Sequence, residues 1–378
     1  MKKSLFLIAA VALAFAACGQ SEEDDLQYYV SPNTYDIVEV AQVPQENDVR
    51  NIIIMIGDGM GLEQVSCAWT LNHGKLNLDN FPVVGLSRTY SANRLITDSA
   101  AGGTALAIGQ KTKNGHVGTD TEGEPVESIL VKAQKAGMKT GVAVTCILHD
   151  ATPADFCCHN ESRYNYDDIV ADYLEAGIDY AAGGGLDFFC DKRKDGRDIA
   201  AELVEKGVNV LYDIDALEAC EQLPMMGILD GDNLPRAEKR GDLYQRMVAK
   251  GLETLSKNAD KGFVMMLEGS CIDDWEHENM IDRAMEELFD FDRAIGQVLK
   301  FAEADGHTLV VVTADHSTGA LTLQEGNLEK GEIGVAFGSD GHNGIAVPYY
   351  VYGAGASSFG GIMENAALGA KIASFVRQ

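Results

Sequence analysis

The run Asn51-Ile52-Ile53-Ile54-Met55-Ile56 constrains the fold of this chain more than any other stretch. It carries no charge and offers no polar face, so it reads as a strand buried on both sides. The turn Gly57-Asp58-Gly59 closes it, and a helix-like run from Leu62 to Leu71 follows. The same unit returns. A helix over Val126 to Ala136 leads into a strand from Met138 to Thr145, which ends in His149-Asp150-Ala151-Thr152-Pro153. Phe263 to Leu267 is another apolar strand, ending in Glu268-Gly269-Ser270. Thr308 to Thr313 ends in Ala314-Asp315-His316, and before it Ile281, Ala284, Met285, Leu288, Ile295, Val298 and Phe301 keep a helical period. Strands alternating with helices predict an α/β fold: a three-layer sandwich with a large, mostly parallel central sheet covered by helices on both faces. At 378 residues and 46% hydrophobic composition the chain can fill such a core. We read one domain over 49–378, with 183–240 and 326–338 as peripheral excursions from it.

In open α/β sheets, ligands bind at the carboxyl ends of the strands. What stands there in this sequence is Asp58, then Asp150 with Thr152, then Glu268, then Asp315 with His316. One acid in a turn is usually a turn former. Several at one sheet edge repel one another unless a cation lies among them, so bound metal is expected. Asp273 and His277, four apart at the start of a helical stretch, share one face and can reach the same ion. His342 lies in a glycine-rich loop just before the strand Tyr349 to Tyr352. The other histidines, His73, His116, His149, His159 and His307, are read as surface or satisfied polar residues.

Thr97-Asp98-Ser99-Ala100-Ala101-Gly102-Gly103-Thr104-Ala105 crowds small residues around a serine at the start of a helical run. A helix N-terminus favours an anion. By itself such a serine is a cap; with the acidic strand ends beside it, Ser99 becomes a candidate nucleophile.

Met1 to Ala17 reads as a secretory signal: Lys2 and Lys3, then an apolar run too short to span a bilayer. Phe15-Ala16-Ala17-Cys18 resembles a bacterial lipoprotein cleavage site, with Cys18 the lipidated residue and 18–48 a tether and arm. The expected location is the periplasm or the surface of a bacterial outer membrane, with soluble secretion as the alternative. Membrane contact is expected only through the lipid on Cys18. The formal charge is -28, or -30 once Lys2 and Lys3 are removed, which excludes nucleic acid as a partner. An anionic substrate then needs local positive charge from metal or arginine. Export permits disulfides, and Cys190 with Cys220 is the best pair among Cys67, Cys146, Cys157, Cys158, Cys190, Cys220 and Cys271.

Taken together, Asn51 to Gly61, Thr97 to Ala105, Asp150-Ala151-Thr152 with Arg163, Glu268 to His277, Thr313 to His316 and His342 resemble the ordered motif set of the alkaline phosphatases. The resemblance implies two Zn2+ and one Mg2+ per chain. One zinc would be held by Asp273, His277 and His342, and the other by Asp58, Asp315 and His316. Asp58, Thr152 and Glu268 would hold magnesium, with Asp98 and Asp150 in supporting positions. Ser99 would be the nucleophile and Arg163 the phosphate grip. Phosphate monoesters would be cleaved through a phosphoserine in two in-line displacements, and a homodimer is allowed. Asp274 stands where the family carries Lys, His or Trp. Charges balance on this assignment. Three divalent ions and Arg163 against four carboxylates leave +3, which a phosphate dianion and a serine alkoxide offset. A phosphodiesterase, or a surface lipoprotein that captures phosphate or metal without catalysis, is the alternative.

Overall fold

The computed structural model describes residues 26–376. The signal sequence and Cys18 lie outside the described residues. The apolar runs form a ten-stranded sheet. In spatial order its strands are Gly361–Glu364, Val83–Arg88, Val347–Gly353, Thr308–Thr313, Asn51–Gly57, Phe263–Gly269, Lys139–Ile147, Tyr180–Gly184, Met225–Ile228 and Asn209–Leu211. Only Val347–Gly353 runs against the rest. Alternation along the strands separates two cores. Ile53, Met55, Met265, Leu267, Val310 and Val312 face the long helix Ile281–Asp305. Ile52, Ile54, Ile56, Val264, Met266 and Val311 face the helices Ser99–Ile108, Ile129–Lys135 and Ala151–Cys157. The result is the predicted three-layer α/β sandwich.

Register sets the position of the site. Ile56 is level with Glu268 on one side and Thr313 on the other, and Val144 pairs with Glu268 from the next strand. The chain therefore leaves the three central strands at one height, with Asp58, Glu268 and Asp315 at their ends.

Four regions differ from the sequence reading. Within 183–240, Met225–Ile228 and Asn209–Leu211 extend the sheet itself at its edge. The excursion at 326–338 belongs to a longer hairpin that starts before it, pairing Leu321–Asn327 with Glu332–Phe337. The arm is docked from Gln27 onward: Gln27–Val30 adds a third strand to that hairpin, and Tyr29, Ser31 and Asn33 all donate to the Glu286 carboxylate at 2.5–2.7 Å. Cys190 and Cys220 are free thiols, as are the other five described cysteines. They cannot pair because Cys190 packs against the core on one side of the sheet and Cys220 against the core on the other.

Candidate active site and metal centre

Ser99 is the first residue of its helix and is buried. The Asp98 side chain caps that helix, accepting from Ala101 N at 2.9 Å. Gly102 lets the helix approach Asp315, because a Cβ there would stand 2.9 Å from the Asp315 carbonyl oxygen. This contact brings Ser99 Oγ within 3.2 Å of His316 Nε2.

Around His316 the expected residues converge. Its Nε2 lies 3.1 Å from Asp315 Oδ2 and 3.4 Å from Asp58 Oδ1. A second knot forms where His277 Nε2 is 3.1 Å from Asp273 Oδ2 and 3.1 Å from His342 Nε2, with His342 Nε2 3.7 Å from the same Asp273 oxygen. By distance two metal-capable groups stand out, Asp58, Asp315 and His316, and Asp273, His316 and His342. His316 lies at their junction. Its Nδ1 is held by Thr318 Oγ1 at 3.1 Å, so Nε2 faces Ser99, Asp58 and Asp315.

The other histidines are oriented in the same manner. His277 Nδ1 donates to the Asp340 carbonyl at 2.6 Å and His342 Nδ1 to the Thr97 carbonyl at 2.9 Å. Each imidazole then turns its Nε2 toward the cluster, the orientation that ligating histidines adopt.

Asp58 Oδ1, Asp315 Oδ2 and Thr152 Oγ1 are buried with no hydrogen-bond partner. Leaving such atoms unsatisfied costs on the order of 1–3 kcal/mol each, more for a carboxylate, so the cluster fits cations. Burial and then the neighbouring Asp315 push Asp58 well above the usual carboxylate range. Burial and then Asp150 do the same to Glu268, and burial with Asp273 lifts Asp315 to about 7. Asp273 goes the other way: against the upward pull of burial, hydrogen bonds from His277 and His342 hold it well down. Crowded acids that resist ionisation are what a bound divalent ion relieves.

Thr152 is the second residue of the helix Ala151–Cys157, capped by Asp150. Arg163 Nη2 reaches that same Asp150 at 2.9 Å, which holds the guanidinium at the edge of the site. Asp274 accepts from Asn233 at 3.2 Å.

Thr318 is a residue the sequence reading missed. It hydrogen-bonds both Asp273 and His316. Its signal was present, since residues two apart on an extended segment share a side. Asp155, buried and bonded to Thr104 at 2.7 Å, was also missed; it joins the Ser99 helix to the Thr152 helix. His149 corrects a reading: it is fully buried against Tyr166, Phe188 and Phe189, with neither ring nitrogen paired.

A cavity of about 620 Å³ opens beside His277 and His342, walled by residues 94–98 and Asn114.

Known proteins resemble this chain over most of its length. The family model for alkaline phosphatase matches residues 49–336. Alkaline phosphatase 4 of Bacillus subtilis is 34% identical over 341 residues, covering 85% of this chain and 71% of that protein. Repressible alkaline phosphatase of Saccharomyces cerevisiae is 33% identical over 317 residues, covering 72% of this chain and 55% of that protein. The structure of alkaline phosphatase from the Antarctic bacterium TAB5 superposes with a TM-score of 0.82 at 34% identity, over 88% of this chain and 100% of that one. A mutant of the TAB5 enzyme has been solved with magnesium bound in its M3 site.

Proposed function

The chain belongs to the alkaline phosphatase family, metal-dependent enzymes that hydrolyse phosphate monoesters, and from that premise we propose that Ser99 is its nucleophile and that the reaction passes through a phosphoserine. The observation that carries the reading is Ser99 Oγ, buried, 3.2 Å from His316 Nε2 at the edge of a cluster of acids and imidazoles. Asp273, His277 and His342 would hold one zinc, Asp58, Asp315 and His316 a second, and Asp58, Thr152 and Glu268 magnesium. Bound there, the ions supply positive charge and Lewis acidity, which lower the pKa of a serine hydroxyl and neutralise a phosphate dianion.

The chain's own groups do the rest. Ser99 Oγ forms the bond to phosphorus on the face opposite the departing alcohol oxygen. Water then attacks phosphorus from the vacated side, and Ser99 leaves. Arg163 grips two non-bridging oxygens through its forked donors, a geometry a lysine cannot reproduce. Asp150 keeps that fork aimed. Asp98 caps the helix so that its N–H groups face the phosphate, a contribution of about 0.3–1 kcal/mol, far below what activating a hydroxyl requires.

The signal-like Met1 to Ala17 and the cysteine after it support export with a lipid on Cys18; among the described residues no helix is long and apolar enough to cross a membrane. The test of function is turnover of p-nitrophenyl phosphate at alkaline pH by metal-replete protein. We expect hydrolysis that a chelator abolishes and zinc with magnesium restores. A diester cleaved faster than the monoester, or neither cleaved, contradicts the reading.

A further inference from the structure

The wall of the cavity beside His277 and His342 carries chemistry that the phosphate site does not use. Arg94 is exposed, and among the described residues its guanidinium makes no hydrogen bond or ion pair. That is unusual in a chain of charge -28, where most arginines are held by carboxylates. Beside it Leu95 is 76% exposed and Ile96 44%. An unpaired cation next to two bare aliphatic side chains, in one open wall, is a surface that lacks a partner.

This wall is built rather than loose. Ser91 N donates to the Arg94 carbonyl at 3.0 Å and Ala92 N to the Thr112 carbonyl at 2.8 Å. Asn114 ties both ends, donating from its backbone N to Asn93 Oδ1 at 3.0 Å and from its side chain to the Ile96 carbonyl at 3.1 Å. The next residue, Thr97, accepts from His342 Nδ1, so the loop's position is fixed relative to the site. The one acid in the wall, Asp98, caps the Ser99 helix through the Ala101 N–H and makes no ion pair with Arg94.

We propose that Arg94, Leu95 and Ile96 form a subsite for the alcohol part of the ester, selecting alcohols with a flat apolar body that bears a second negative charge. Leu95 and Ile96 cover the body, and Arg94 pairs with the charge. The proposal rests on the phosphatase reading, because the subsite is defined by what remains of a monoester once its phosphate is placed between Ser99 and Arg163.

A matched pair of substrates tests it: 4-carboxyphenyl phosphate and its neutral methyl ester. The readout is the ratio of their kcat/KM values, in which differences in leaving-group chemistry cancel between variants. The Arg94→Ala variant is expected to lower the acid-to-ester ratio about two- to fivefold, the range for a solvent-exposed ion pair. R94E should lower it further, R94K should largely keep it, and the unaltered protein's ratio should fall as salt rises. A ratio unchanged in both R94A and R94E overturns the subsite. Failure of the unaltered protein to turn over either ester refutes the phosphatase reading instead, and the subsite with it.

Discussion

Gly102 is where the placement of Ser99 can be tested without touching a reacting group. Its position three residues into the helix faces the Asp315 backbone, and a Cβ there would lie 2.9 Å from the Asp315 carbonyl oxygen and 3.2 Å from the Asp315 Cβ. Ordinary contact begins at 3.4 Å. In Gly102→Ala the helix and the Asp315 segment must therefore separate by about 0.5 Å, from 3.4 less 2.9. For stability two effects oppose each other: alanine improves helix propensity by about 1 kcal/mol, and overpacking costs about 1–3 kcal/mol. The net loss is about 0–2 kcal/mol, a fall in Tm of no more than about 5 °C for a domain this size. Activity is the more sensitive readout. A misplacement of about 1 Å can cost about a hundredfold, so half that predicts a fall of about tenfold in kcat/KM. The assay is p-nitrophenyl phosphate turnover beside thermal unfolding. Gly103→Ala is the contrast, since its Cβ would meet Asp155 Oδ2 at 2.3 Å and strain the Thr104–Asp155 bond, so it should lose more stability. Wild-type kcat/KM in G102A, with a raised Tm, would refute the claim that this close approach positions Ser99.

Arg163→Ala should weaken inhibition by inorganic phosphate by about tenfold or more, the worth of charge-assisted hydrogen bonds, while metal content stays at the wild-type level. Metal analysis beside the inhibition constant checks it, and loss of metal would show that Arg163 supports the ligand cluster instead. Burial pushes His149 down to about 4 from 6.5. Its unfolded form takes up a proton near pH 6.5 and its folded form does not, so its share of stability is complete above pH 6.5 and is lost as pH falls toward 4. By pH 5 that loss is about 2 kcal/mol. His149→Phe, apolar among aromatic neighbours, should remove this part of the acid sensitivity in urea unfolding at pH 7 and pH 5; an identical acid loss in both proteins counts against it.

The strands that carry the site were legible because each is an apolar run that ends in a turn, with an acid within two residues of the run's end. Asp58, Glu268 and Asp315 follow from that rule alone. His342 and Thr318 do not: they meet on Ser317–Thr318 and His342–Asn343, two-residue strands paired at Thr318 and His342 and lacking any apolar run, so only the spacing of Thr318 from His316 points to it. The sheet edge was hidden for a similar reason. Asn209–Leu211 and Met225–Ile228 are three and four residues long and lie in polar sequence. The arm looked like a tether because its apolar residues are scattered without a period, although Tyr29, Tyr35, Val38, Val40 and Val43 pack into or against the core. Hydrogen bonds from Tyr29, Ser31, Asn33 and Tyr35 to Glu286 and Asp292 on the long helix complete the docking, and polar residues that dock this way read as loop. His149 was misjudged since no short-range pattern tells that Tyr166, Phe188 and Phe189 close over it.

The mechanism stands or falls on Ser99 as the carrier of the phosphoryl group. The most direct measurement is acid quench of metal-replete protein during turnover of a monoester, followed by peptide mass spectrometry, with Ser99→Ala beside it. Phosphate is expected on Ser99 in the unaltered protein, and in S99A no trapped phosphate and turnover lowered more than about a hundredfold. Phosphate trapped on another residue, or S99A turning over at the wild-type rate, would contradict it.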